Sequence, residues 1–189
     1  MVICNKRGGK QMYYAEYESP VGRLLLLSDG CFLTHVLFDV KVPEGAVSGE
    51  NVAVLEKTVA WLHDYFRGDV RPIDIPLKLE GTEFQKTVWA ELAGIGYGQT
   101  RTYGDIARAV CGQSGGRMSA QAVGQAVGKN PISILVPCHR VVGAKGQMTG
   151  YAWGVEKKVW LLRHEGIAIT EKERIATPAW ALVRNDRES

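Results

Sequence analysis

Asn130-Pro-Ile-Ser-Ile-Leu-Val-Pro-Cys-His-Arg-Val-Val142 is the stretch on which the reading of this chain turns. An apolar run, Ile132 to Val136, delivers a Cys-His pair held between Pro137 and a second apolar step. The thiol therefore stands at the end of a rigid, buried segment. Such a cysteine has two readings. It is a small core residue, because free cysteine is among the most buried side chains, or it is a nucleophile with a base beside it.

Lys129-Asn130-Pro131 ends the element before this stretch, a helix predicted over Ala120 to Val127. Ser119 is its N-cap, and Ala122, Val123, Ala126 and Val127 can face inward. Another helix starts at Thr102 and runs through Ile106, Ala107 and Val110 to a glycine-rich turn, Gly112 to Gly116. Two short helices joined by a tight turn have the outline of a helix-turn-helix, an outline shared by helix pairs that never meet DNA. Upstream, Thr82-Glu-Phe-Gln85 reads as a capping box opening a helix with Phe84, Val88, Trp89 and Leu92 on one face, broken at Gly94 to Gly98. Downstream, a loop containing Gly143, Gly146, Gly150 and Gly154 carries Tyr151, Ala152 and Trp153, suited to walling a flat pocket. A final helix, Val155 to His164, has Val155, Val159 and Leu162 on one face, and Gly166 can cap it.

The first 80 residues read differently. Residues 12 to 18, 21 to 28 and 31 to 38 are β-rich with a turn signal at Ser28-Asp29-Gly30, which predicts an antiparallel meander. Val52, Leu55, Val59, Leu62 and Phe66 recur at helical spacing up to Gly68, and Ile73 to Leu79 is expected to return as a strand. The class is α+β: a supporting domain over 1–80, a mainly helical domain over 82–167 carrying the Cys-His stretch, and a tail over 168–189 to which no function is assigned. Cys4, Cys31 and His35 suggest metal ligands, but strand residues four apart lie ~13 Å from one another, too far to chelate one ion. No metal is expected.

At 189 residues and a net charge of +3, the composition is that of a globular chain. The charge is uneven: residues 1 to 81 carry 9 basic and 11 acidic side chains, 82 to 167 carry 10 and 5, and the tail 4 and 4. The surplus accompanies the Cys-His stretch and is compatible with weak phosphate binding. No apolar run approaches the ~20 residues of a membrane span, and the N-terminus lacks a signal peptide's apolar run. A cytoplasmic protein with no membrane partner is expected. The four cysteines, Cys4, Cys31, Cys111 and Cys138, are scattered, and disulfides are not expected.

The string Pro137-Cys138-His139-Arg140-Val141 resembles the active-site signature of the O6-alkylguanine-DNA alkyltransferases, a resemblance that extends from about Phe84 to Gly166. A weaker likeness in layout covers 12 to 80. The resemblance implies a ribonuclease H-like first domain and a winged helix-turn-helix-like second. It implies a protein that moves an alkyl group from O6-alkylguanine, and from O4-alkylthymine, to its own cysteine once, without a cofactor. A Cys-water-His-Glu relay maps onto Cys138, His139 and Glu165, and a hydrogen bond to the leaving base onto Tyr103. Val141 and Cys138 would hold the guanine through their carbonyls, Tyr151, Ala152 and Trp153 would line its O6 side, and Asn130 would order the hinge. Arg140 is expected to be structural.

Binding of duplex DNA through the minor groove by a monomer is also implied, with the lesion flipped out of the stack. The reading helix would present Ser119, Ala120 and Gln121. Gln121 stands where the family has an arginine that fills the gap, so Arg117 or Arg101 is left to supply the charge. Trp153 departs from the small residue of many relatives and would narrow the pocket. Two alternatives stand beside alkyl transfer. A lesion-binding sensor without chemistry is disfavoured by the presence of Cys138; a cysteine hydrolase or helix-turn-helix regulator lacks an oxyanion-hole motif or an effector domain.

Overall fold

The computed structural model describes residues 11–114 and 119–169, and the chain divides into two compact units. The first contains β1 (Tyr13–Ser19), β2 (Gly22–Ser28), β3 (Leu33–Phe38), β4 (Val47–Ser48) and α1 (Ala53–Phe66). A two-residue hairpin, Pro20-Val21, joins β1 to β2, and Gly22 at φ 117° supplies the left-handed residue that it needs. Asp29 accepts from the backbone N–H of Cys31 and Phe32, closing the next turn. The sheet order is β3-β2-β1-β4: the three long strands are antiparallel and β4 pairs parallel with Tyr13 and Tyr14. Leu24 to Leu27 of β2 are all buried, so the central strand reads as a continuous apolar run instead of alternating. From α1, Val54, Leu55, Thr58, Leu62 and Tyr65 are buried.

Three expectations for this unit need correction. Ile73 to Leu79 forms no strand but a single bridge, Leu33 to Leu77, because Pro72 and Pro76 have no N–H to donate to a ladder. β3 begins at Leu33, leaving Cys31 in the turn. Cys31 is disulfide-bonded, against the expectation of no disulfides. His35 Nδ1 lies 3.1 Å from Thr34 Oγ1. Among the described residues no group of three or more His, Cys, Asp or Glu could hold a metal, and Cys4 lies outside them.

The second unit begins at Glu83, and the first also takes Pro131–Leu135. That segment docks on β3, with Val36 N donating to Pro131 O and Ser133 N to Val36 O. It is not the straight run its composition suggests: Ile134 sits at φ 69°, a turn that packs Ile132, Ile134 and Leu135 inward. The second unit holds α2 (Glu83–Ala93), β5 (Arg101–Thr102), α3 (Tyr103–Ser114), α4 (Ala120–Gly128), β6 (Val141–Val142) and α5 (Val155–His164). Helix α3 continues through Gly112, which does not end it. Ser119 caps α4, its Oγ accepting from Ala122 N at 3.1 Å. Trp89 of α2 is buried and its indole N–H donates to Ala126 O of α4 at 2.9 Å. No helix among the described residues is long and apolar enough to cross a membrane.

Leu26 is fully buried near the centre of β2, in the core of the first unit. Leu26→Ala should lower the stability by about 2–5 kcal/mol, read as an earlier midpoint in urea unfolding followed by fluorescence.

Candidate active site

Parallel pairing of β5 with β6, Arg101 to Val141 and Thr102 to Val142, ties the start of α3 to the residues just after the Cys-His pair. Cys138, His139 and Arg140 themselves form one 3-10 turn, in which Arg140 N bonds back to Pro137 O. All three side chains are buried. Asn130, also buried, donates from Nδ2 to Val136 O at 2.7 Å and so braces the chain on either side of the segment between them.

His139 Nε2 lies 2.8 Å from Glu165 Oε1. A carboxylate only accepts, so this nitrogen carries the proton and Nδ1 is the ring's acceptor; Nδ1 has no hydrogen-bond partner among the described residues. Burial holds His139 below the usual imidazole range, Glu165 draws it up, and the charges of Arg140 and Lys158 push it down again. The ring is neutral at pH 7. Burial raises the Cys138 thiol, against hydrogen bonds from Asn130 and Tyr151 and the charge of Lys158. The resting pair is therefore thiol and imidazole.

Glu165 is no solvated carboxylate. It is the C-cap of α5 and only 4% exposed, and the chain turns away behind it through Gly166 at φ 83°. Arg140 Nε and Nη2 donate to its two oxygens at 2.8 and 2.9 Å, and Gly98 N donates to Oε2 at 3.2 Å. Burial alone would raise this carboxyl, but the bonds from His139 and Arg140 and their charges hold it down at about 2. Gly98 is required here: its φ is 70° and a Cβ would lie 3.1 Å from Glu165 O. The neighbouring Tyr97 hydroxyl donates to His164 O at 3.1 Å.

Tyr103 is half-buried, and its hydroxyl donates to Gly150 O at 3.4 Å. Burial, and secondarily the Cys138 thiol, push it to about 12 against a hydrogen bond with Thr149. Val141 is buried, Tyr151 and Trp153 are half-buried, and Ala152 is exposed. Ser119, Ala120 and Gln121 lie exposed at the start of α4. Arg101 is paired with Glu91 at 2.9 Å, which offsets its charge, and Arg117 lies outside the described residues.

Lys158 went unnoticed in the sequence. It is fully buried, with Nζ donating to Val141 O at 2.5 Å and Thr149 O at 3.0 Å, and it stands 5.9 Å over the Tyr103 ring. Burial lowers it to about 8, opposed by Cys138. The signal was available: Lys158 follows Val155 by three residues and precedes Leu162 by four, which puts it on the apolar face of α5.

This arrangement sets a buried thiol and a tautomer-fixed histidine on one turn behind a short capped helix, a nucleophile-and-base geometry. Two family models cover most of the chain: the ribonuclease-like domain of 6-O-methylguanine DNA methyltransferase matches residues 12–79, and its DNA binding domain residues 83–167. The chain belongs to the 6-O-methylguanine DNA methyltransferase family. It is 46% identical over 160 residues to the methylated-DNA--protein-cysteine methyltransferase of Methanosarcina acetivorans, covering 82% of this chain and 99% of that one. The protein of the same name from Haemophilus influenzae is 42% identical over 166 residues, covering 85% and 90%. Among solved structures, Mycobacterium tuberculosis O6-methylguanine methyltransferase superposes with a TM-score of 0.70 at 39% identity, over 82% of this chain and 93% of that one. The same mycobacterial protein has also been solved in complex with DNA, with a TM-score of 0.70 at 39% identity, covering 81% and 92%.

The depressed Glu165 carboxyl links the site to acid stability. Its folded value of about 2 lies below the ordinary 4.5, so its contribution is complete above about pH 4.5 and is lost as pH falls towards 2. The lost stability is on the order of 3 kcal/mol. Urea midpoints measured across that window should fall steeply for the native chain, and Glu165→Gln should be less stable at neutral pH and flatter towards acid.

Proposed function

We propose that this chain repairs duplex DNA by moving a methyl or other alkyl group from the O6 of guanine, and from O4-alkylthymine, to Cys138, once per molecule. The observation that carries this is the lock of His139 Nε2 onto the buried Glu165, which leaves Nδ1 as the only acceptor on the ring of the residue next to the thiol. Relatives named methylated-DNA--protein-cysteine methyltransferase and the DNA complex of a related protein support it.

The target atom of a stacked guanine is out of reach, so the nucleotide leaves the helix at a cost of a few kcal/mol. Cys138 and Val141 hold the base through carbonyl lone pairs not used by Val141 N and Lys158 Nζ. Tyr151, Ala152 and Trp153 wall its O6 side, and the Trp153 ring favours small adducts. As Cys138 Sγ attacks the alkyl carbon, the thiol proton passes through water to His139 Nδ1. The S–C bond forms, the C–O6 bond breaks, and its electron pair stays with guanine. Tyr103, at about 12, keeps its proton and donates a hydrogen bond to the departing base. The proton taken from the thiol returns through His139 and solvent to guanine, so charge balances. The product is a thioether, which water does not cleave, and the protein is spent.

Docking is through the minor groove by a monomer, with α4 as the reading helix. Ser119 and Ala120 lie along the backbone, Gln121 stands in for the displaced base, and Arg117, or Arg101 beyond its pairing with Glu91, supplies the charge that the family's arginine would bring. Asn130 keeps that helix and the nucleophile in register. No cofactor takes part, and Cys138 works as a free thiol in the cytoplasm.

Incubating the protein with a duplex carrying one O6-methylguanine and weighing the intact chain and its peptides tests the transfer. One methyl per molecule on the Cys138 peptide, absent from Cys138→Ala, is the expected result; unmodified protein that still binds the lesion would make it a sensor. Tyr103→Phe should slow single-turnover transfer by roughly 10²–10³-fold with duplex affinity little changed, as stopped-time quench and gel-shift titration would report.

A further inference from the structure

Glu165 does not serve His139 alone. Its Oε1 accepts from His139 Nε2 and Arg140 Nη2, and its Oε2 from Arg140 Nε and Gly98 N. The third guanidinium arm donates to Ile95 O, and the group lies 5.9 Å over the Tyr97 ring, so Arg140 is held at every nitrogen and is only 8% exposed. A buried carboxylate facing one imidazole would favour the imidazolium strongly, and a histidine already protonated cannot take a thiol proton. Here the carboxylate's charge is divided between a permanent cation and the ring.

We propose that Arg140 is a positioning residue for the transfer: its two-armed grip orients Glu165 towards His139 Nε2 and draws off enough of the carboxylate's charge to leave His139 unprotonated through the neutral range. The charged and titratable groups around the ring are Cys138 and Arg140 on its own turn, Lys158 on α5 and Glu165 at the end of α5, with Tyr97 facing the carboxylate from the α2–β5 connection. Two of these are cations that oppose the imidazolium, and Arg140 is the one that touches the same oxygen as His139. This inference rests on the relay reading, in which His139 Nδ1 receives the thiol proton.

Single-turnover transfer from a duplex with one O6-methylguanine, followed from about pH 5 to about pH 9, separates the two ideas. In the native protein the rate falls on the acid side as His139 becomes protonated, and His139→Asn should abolish that limb. Arg140→Gln, which removes the charge, should move the limb towards higher pH by roughly one unit, a tenfold loss of rate on the limb. Arg140→Lys, which keeps the charge, should leave the limb where it was even if the maximal rate drops. A lower rate at every pH with an unmoved limb in Arg140→Gln would reduce Arg140 to packing and overturn the proposal. An acid limb that survives in His139→Asn would instead overturn the relay on which it rests. Should Arg140→Gln fail to fold by circular dichroism, citrulline at position 140 keeps the shape without the charge and is read by the same criterion.

Discussion

A single buried carboxylate holds this site together. Glu165, at the end of α5, receives four donors from two other parts of the chain: His139 Nε2 with Arg140 Nε and Nη2 on the Cys-His turn, and Gly98 N in the connection after α2. A charge out of water is tolerated only where donors replace the lost hydration, so each of those backbone positions is constrained by it. The turn of Gly98, the cap at Gly166 and the 3-10 turn at Cys138 are local solutions to that one requirement.

The same constraint joins scaffold to chemistry. Helix α4 ends at Gly128, Pro131–Leu135 joins the first unit by bonding to β3, and the second unit resumes at Val136. Asn130 bonding to Val136 O closes the base of that excursion. The nucleophile is thus anchored at its start by an amide and at its end by an ion pair, while β5–β6 pairing brings Tyr103 into the same neighbourhood. A transfer that happens once gains from such rigidity, because the attacking sulfur must be aimed before the lesion arrives.

Much of this was legible in the chain itself. Periodicity located α1 and α2, Ser119 marked the start of α4, and the Cys-His string with its flanks pointed to the family. The misreadings have identifiable causes. Pro72 and Pro76 removed the N–H groups a fourth long strand would have needed, and the apolar run before Cys138 turned at Ile134 to pack on β3. Cys31 was judged by spacing, and spacing carries no information about which turn meets which cysteine.

By itself the sequence determined the order of elements and the Cys138-His139 pairing at the end of an apolar run, because these depend on local pattern and on residue type. Only the tertiary structure decided what the charges do. Lys158 and Arg140 are basic residues on an apolar face and beside a histidine in one dimension; in three, one holds two carbonyls and the other shares Glu165 with His139. Such roles follow from burial and from partners 9 to 25 residues away, and a linear chain specifies neither until it folds.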